Sequence, residues 1–403
     1  MKKTKRHIIY LILVNVIFNS CVEPINIDNS STSEDVIVIE AIITNELKRH
    51  EIKISKTFEL NQDGPSPESN AEVKIIDASQ NVYNFNEDTP GKYISTSEFA
   101  ATPNNTYQLS ITTSKGDSYT SNPLTLTNET QIEDVNYTAE TNENGTLGVS
   151  IFVNSFDPLG NSKYYRYEYE ETYKIIAPYW SNLDAILTSA TTFYTAQKTK
   201  EERVCYNSLS STGIIQTETT KLSEDRVTQK LVRFIPANDF IITHRYSILV
   251  KQYVQSLESY TYFKTLNELS GSESLLSQNQ PGFISSNIVS VNNPNQKVLG
   301  FFDVSSVSSK RIFFNFRDLF PFPEKRPAHI VPCELLAPRV NATNGNSLVE
   351  IIREGRLKYY TLNGEPPFEP PLIPDGGPYV MVIPKCGDCT TLGSNVVPDF
   401  WVE

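Results

Sequence analysis

Apolar and polar positions alternate along most of this chain with the two-residue period of half-buried strands. "VIVIEAIIT" (Val36 to Thr44) is a continuous β-branched run, "HEIKISKTF" alternates through Ile52 and Ile54, and "AEVKIID" (Ala71 to Asp77) follows a Pro/Ser/Asn loop. Then come "NVYNF", a turn at Asp88-Thr89-Pro90-Gly91 leading into "KYIS", "TYQLSITT" with Tyr107, Leu109 and Ile111 on one face, and "DSYTSNPLTLT". About seven short strands with frequent turns predict an antiparallel sandwich over residues 36–128, immunoglobulin-like or transthyretin-like.

After the polar joint Thr127-Asn128-Glu129-Thr130, a larger β-rich domain with a few short helices is expected over 131–403. In "GTLGVSIFVNSFD" and "KYYRYEYEETYKI" aromatic residues alternate with charge. Tyr165, Tyr167, Tyr169 and Tyr173 therefore share one face, which either packs into a sheet core with the hydroxyls at its edge or forms a ligand-stacking ladder. Residues 178–200 read as partly helical. "RVCYN", "KLVRFIP" and "HRYSILVKQYVQS" read as strands. In "LESYTYFKTLNELSG" Tyr260, Phe263, Leu266 and Leu269 recur at three-residue steps and Gly271 stands where a C-cap would, which predicts a helix. The Pro-rich "GEPPFEPPLIPDGGP" (364–378) predicts an extended arm that returns "YVMVIPKC" to the sheet, with a binding loop as the sharper reading. "PDFW" predicts a C-terminal strand or plug around Trp401.

The first twenty residues change the picture. Met1 to His7 carries four Lys/Arg and no acid, and Ile8 to Phe18 is an eleven-residue apolar run interrupted only by Asn15. That run is too short to span a bilayer and suits a signal peptide over 1–20. Cys21 follows the small residue Ser20, as in a bacterial lipoprotein signal, so lipidation of Cys21 is expected, with ordinary signal cleavage as the rival. Residues 21–35 then serve as a flexible polar tether. An acylated cysteine holds a domain to a membrane without a transmembrane helix. The formal net charge is -12, more negative still without the basic leader. Nucleic-acid binding needs clustered Lys/Arg to neutralise phosphates, so no nucleic-acid partner is expected.

Chemical signals are few. Beyond the leader the histidines are His50, His244 and His329, and the templates of zinc proteases, serine hydrolases, P-loops and dinucleotide-binding folds are missing. No catalytic residue and no cofactor are expected. The even set Cys205, Cys333, Cys386 and Cys389 predicts two disulfides in an oxidising compartment, with three pairings open. A zinc site from His329, Cys333, Cys386 and Cys389 is a weaker alternative. A redox Cys386-x-x-Cys389 is weaker again, because its surroundings are Gly/Pro-rich.

Four stretches together resemble a known family: "QPGFISSNIVSVNNPNQKVLGFFDVSSVSSKRIFF" (Gln280 to Phe314), the Cys205-Tyr206 pair, "RYSI" with "SYTYFKTL", and the ending "CGDCTTLGSNVVPDFW". The chain resembles bacterial lipoproteins, mainly of the Bacteroidota, labelled domain of unknown function 4249. Phe283 departs from the tight turn expected there. The resemblance implies a lipid-anchored outer-membrane accessory protein beside a TonB-dependent receptor, working in ligand capture or uptake. The alternatives are a surface glycan hydrolase with a carboxylate pair, or a structural or adhesive envelope lipoprotein.

Overall fold

A computed structural model of the chain describes residues 36–58, 64–189, 192–270, 284, 286–340, 347–364 and 370–403. The leader, Cys21, the tether, Gly271 and Phe283 lie outside the described residues.

The protein is mostly β, as its alternation predicts. The first strands are β1 (Ile37–Thr44), β2 (Glu51–Lys56), β3 (Ser66–Pro67), β4 (Glu72–Asp77), β5 (Val82–Thr89), β6 (Lys92–Ser95), β7 (Thr106–Thr112), β8 (Ser118–Ser121) and β9 (Leu124–Thr125). Strict alternation in β7, where Tyr107, Leu109 and Ile111 are buried, and in β4 sends one face of each strand inward. The second group comprises β10 (Ile132–Thr141), β11 (Leu147–Phe156), β12 (Tyr164–Ile176), β13 (Leu183–Leu187), β14 (Phe193–Gln197), β15 (Val204–Ser210), β16 (Ile215–Glu218), β17 (Arg226–Pro236) and β18 (Arg245–Gln255). Helix α1 (Leu257–Ser270) follows, then β19 (Ile288–Ser290), β20 (Val298–Asn315), β21 (Lys358–Leu362) and β22 (Tyr379–Val382). Among the described residues no helix is long and apolar enough to cross a membrane.

One hydrogen-bonded path, β15-β12-β18-β20-β1-β2-β6-β5-β4-β7-β8-β19, runs through both groups. Its centre is β20. The first part of that strand, from Val298 to Ser305, lies parallel to β1, and the part from Ser306 to Asn315 lies antiparallel to β18. The two cores therefore do not divide at residue 131. The first core, built on Ile39, Ile52, Ile75 and Leu109, also takes Ile288, Val298, Phe302 and Val304 from far along the chain. In the second core, the sheet β10-β11-β17 packs on the inner face of β12 and β18, burying Val149, Ile151, Tyr165, Tyr167 and Ile248. Apolar alternation shows that a strand has an inner face but not which distant strand pairs with it.

Residues 178–200 are a hairpin and not partly helical. β13 and β14 pair from Leu183↔Gln197 to Leu187↔Phe193, and the β-branched and aromatic residues of "LDAIL" and "FYTAQ" suit that pleated ladder. Leu183, Ala185 and Phe193 pack on a small third core around Leu348, Tyr359 and Met381.

The cysteines form two disulfides. Cys205 on β15 is bonded to Cys389, and Cys333 to Cys386, with Cα separations of 5.6 and 5.8 Å. Cys386 and Cys389 thus have different partners, so the redox pair is not assembled. His329, Cys333 and Cys386 do converge within 4.8 Å. However, both sulfurs are spent on their mutual bond, Cys389 is held by Cys205, and a ring nitrogen of His329 lies 2.8 Å from the Lys385 carbonyl, so the four-ligand zinc set does not form either. The first disulfide docks the C-terminal segment on the sheet edge, where Tyr206 and Ser394 exchange backbone hydrogen bonds of 2.8 and 2.9 Å. Trp401 plugs the outer face, its ring 4.8 Å from Tyr206 and 5.7 Å from Phe313. Changing Cys205 and Cys389 together to serine should lower stability by about 2–4 kcal/mol in urea unfolding, since the bond closes a long loop. Intact mass after alkylation without reductant should find none of these four thiols free.

Two histidines make the fold acid-sensitive. Burial, against the pull of its hydrogen bond with the Phe99 carbonyl, pushes His50 down to about 4, and burial with the nearby Arg326 does the same for His244. In the unfolded chain a histidine takes its proton near pH 6.5, whereas in the fold it resists until about 4. Their contribution is complete above about pH 6.5, is lost as pH falls toward 4, and levels off below. Urea midpoints across that range should decline, and His50→Gln should flatten the decline.

A cleft beneath the helix

The second sheet has two faces of different character. On β12 the side chains of Tyr165, Tyr167 and Tyr173 point into the core, 0, 0 and 5 % exposed, and Tyr169 is half-buried. The four tyrosines are core residues and not a ligand-stacking ladder. Tyr165 donates to Asp225 at 2.9 Å and Tyr167 to Gln252 at 3.1 Å, so their hydroxyls are satisfied inside. The alternating positions, Arg166 and Glu168, project from the other face. Arg166 stands in register with Tyr253 on β18.

The helix folds back over that outer face. Ser256 starts it, its Oγ accepting from the Ser259 amide at 3.0 Å as an N-cap does. The apolar steps read from the sequence then fall on the sheet side. Tyr260 packs on Tyr164 with centroids 4.9 Å apart, and Tyr262 stacks on Phe301 of β20 at 5.0 Å. Between α1, the start of β1 and the loop 211–214 lies a cavity of about 480 Å³. Its walls are mostly apolar: Val38, Ile42, Tyr262, Phe263, Leu266, Leu299 and Phe301.

A polar cluster forms its inner end. The Arg166 guanidinium is held between two rings, 4.5 Å from the Tyr253 centroid and 4.7 Å from that of Phe263. Its Nη1 donates to Glu168, which also accepts from the Tyr253 hydroxyl at 2.9 Å. Burial opposes ionisation of Glu168, but the adjacent Arg166 and these two donors outweigh it and hold the carboxyl below its usual range. Asp303 is buried nearby, accepting from Ser259 at 3.0 Å and Ser305 at 2.7 Å; burial still pushes its carboxyl up, against those donors and Arg166. The Arg166 Nε and Nη2 atoms are buried and have no acceptor among the described residues.

Among the described residues no histidine or cysteine lines this cavity; its titratable groups are Glu40, Arg166, Glu168 and Tyr262. Such a set suits holding a molecule better than supplying a base and nucleophile. None of the expected site residues is in it: the four disulfide cysteines are not among its lining residues, and Cys21 is outside the described residues. Sequence reasoning singled out Phe263 and Leu266 only as a helix face and missed Arg166, Glu168, Tyr253 and Phe301. The available signal was the run Tyr164-Tyr165-Arg166-Tyr167-Glu168, whose alternation places charges opposite the buried tyrosines.

A β protein with two cores threaded on one long strand, and an aromatic cleft under its one long described helix, is the class that this geometry defines. The chain belongs to the family of the domain of unknown function DUF4249, whose family model matches residues 22–311. That span contains every residue lining the cleft and stops before Cys333, Cys386 and Cys389. No curated protein matches the chain. Among solved structures it is similar to a DUF4785 family protein from Legionella pneumophila, at 8% identity and a TM-score of 0.18, over 54% of this chain and 51% of that one. The chain spans about half the length of that structure, and a likeness so slight carries no argument.

Proposed function

We propose that the protein is a lipid-anchored binding protein of the outer membrane, attached through Cys21 and serving a TonB-dependent receptor in ligand capture or uptake. The observation that carries the binding reading is the cleft: about 480 Å³, apolar and aromatic, with a buried charge cluster at one end. Small-molecule sites have this character, an apolar concavity with a few placed polar groups. The basic and apolar leader ending at Ser20-Cys21 supports the anchor. A glycan hydrolase draws support from two carboxylates, Glu40 and Glu168, in one cleft. A general acid needs a raised pKa, however, and Glu168 is held low by Arg166.

Two measurements test this reading. Cells fed an alkynyl fatty acid should label the wild-type protein and not Cys21→Ser. Affinity purification in mild detergent should bring down a TonB-dependent barrel, and its repeated absence contradicts the partnership.

A further inference from the structure

We propose that the cleft takes a small amphipathic molecule, with an apolar or aromatic body lying across Phe301 and an anionic end received by Arg166. The inference rests on the binding reading above and adds the class of ligand. Arg166 is 5 % exposed and lines the cavity. A buried guanidinium with unmet N–H groups is costly, and such a group calls for an explanation. One edge of the fork is spent, since Nη1 donates to Glu168. The other edge, Nε and Nη2, has no acceptor among the described residues. Nε and one Nη present two parallel donors, the geometry that matches a carboxylate, sulfonate or phosphate.

The rest of the cleft sets the remaining chemistry. Phe263 lies over the guanidinium from α1 and also lines the cavity, so the cation is stacked at the cavity wall. Of the two lining carboxylates, Glu168 is already paired with Arg166, and Glu40 stands on another strand, β1. Glu40 pairs beside Phe301 on the first part of β20, whereas β18, the neighbour of the strand that carries Arg166, pairs with its second part. The stacked Tyr262 and Phe301 and the aliphatic Leu299 offer a surface for a planar or aliphatic body.

The test uses two fluorescent probes with one aromatic body: N-phenyl-1-naphthylamine, which is neutral, and its sulfonated form, 1-anilinonaphthalene-8-sulfonate. The protein is the full chain with Cys21→Ser, so that no acyl chain on Cys21 competes for the probes. We expect the sulfonate to bind at least about tenfold tighter, the scale of one charge-assisted hydrogen-bond pair. Arg166→Gln should erase that difference, and Arg166→Lys should keep part of it. Gly213→Trp should abolish both probes. Gly213 lines the cavity, and a β-carbon there meets nothing within 4 Å, so the position takes a large side chain without a backbone clash. Equal binding of the two probes, or a difference that survives Arg166→Gln, overturns the anionic end and leaves the cleft as a binding site. Binding of both probes unaffected by Gly213→Trp overturns the cleft reading with it.

Discussion

Gly300→Ala is expected to destabilise the protein by more than about 4 kcal/mol, a size reserved for disruption of a core or backbone. Gly300 has φ +105°, where a side chain alone costs about 1–3 kcal/mol. An added β-carbon would stand 1.9 Å from the Ile39 carbonyl oxygen and 2.6 Å from its carbonyl carbon and amide nitrogen. Those atoms are backbone, so no side-chain rotation relieves the overlap. Ile39 and Gly300 are register partners in the parallel β1–β20 ladder, and that ladder holds the first core to the second. Urea unfolding of the variant should show collapse of the first core at least. A loss below about 1 kcal/mol contradicts this account of how the cores are joined.

Glu171→Ala should cost about 3–5 kcal/mol, because it strands charge and hydroxyl donors inside the second core. Glu171 is 4 % exposed. It accepts a forked pair from Arg233, Nε to Oε2 and Nη2 to Oε1, both at 3.1 Å, and the Tyr246 hydroxyl at 2.6 Å. Arg233 keeps some contact with solvent, which places the expected loss at the lower end of the range. Removing both charges with Glu171→Leu and Arg233→Met should cost less than Glu171→Ala alone, since no buried charge is then left unpaired. A double variant worse than the sum of its parts contradicts the assignment of the cost to an uncompensated charge.

Much of the scaffold is legible in the sequence because strand burial has a period of two. Tyr107, Leu109 and Ile111 are inside as their spacing requires, and the three-residue steps of Tyr260, Phe263 and Leu266 mark the helix and its sheet side. What escapes is pairing between distant segments. Nothing in "VLGFFDVSS" says that it lies parallel to "IVIEAIIT", a pairing that joins the first strands to a segment far along the chain. The even cysteine count predicts two bonds but not Cys205 with Cys389, which depends on the C-terminal segment returning to β15. In residues 178–200 the turn at Thr188 and Thr192 was the missed signal: its hydroxyls hydrogen-bond at 2.8 Å and close the hairpin. The cleft escapes for the same reason as the ladder. Arg166 and Glu168 look like solvent-facing alternates of a tyrosine-rich strand until α1 folds over them, and Phe301 comes from a third segment.

The central claim is that the cleft under α1 holds a small molecule. The most direct measurement is mass spectrometry of small molecules extracted from the protein purified out of its own membranes, compared with Gly213→Trp handled identically. The account predicts a compound with an apolar body retained by the wild-type protein and missing from the variant, and identical extracts would contradict it.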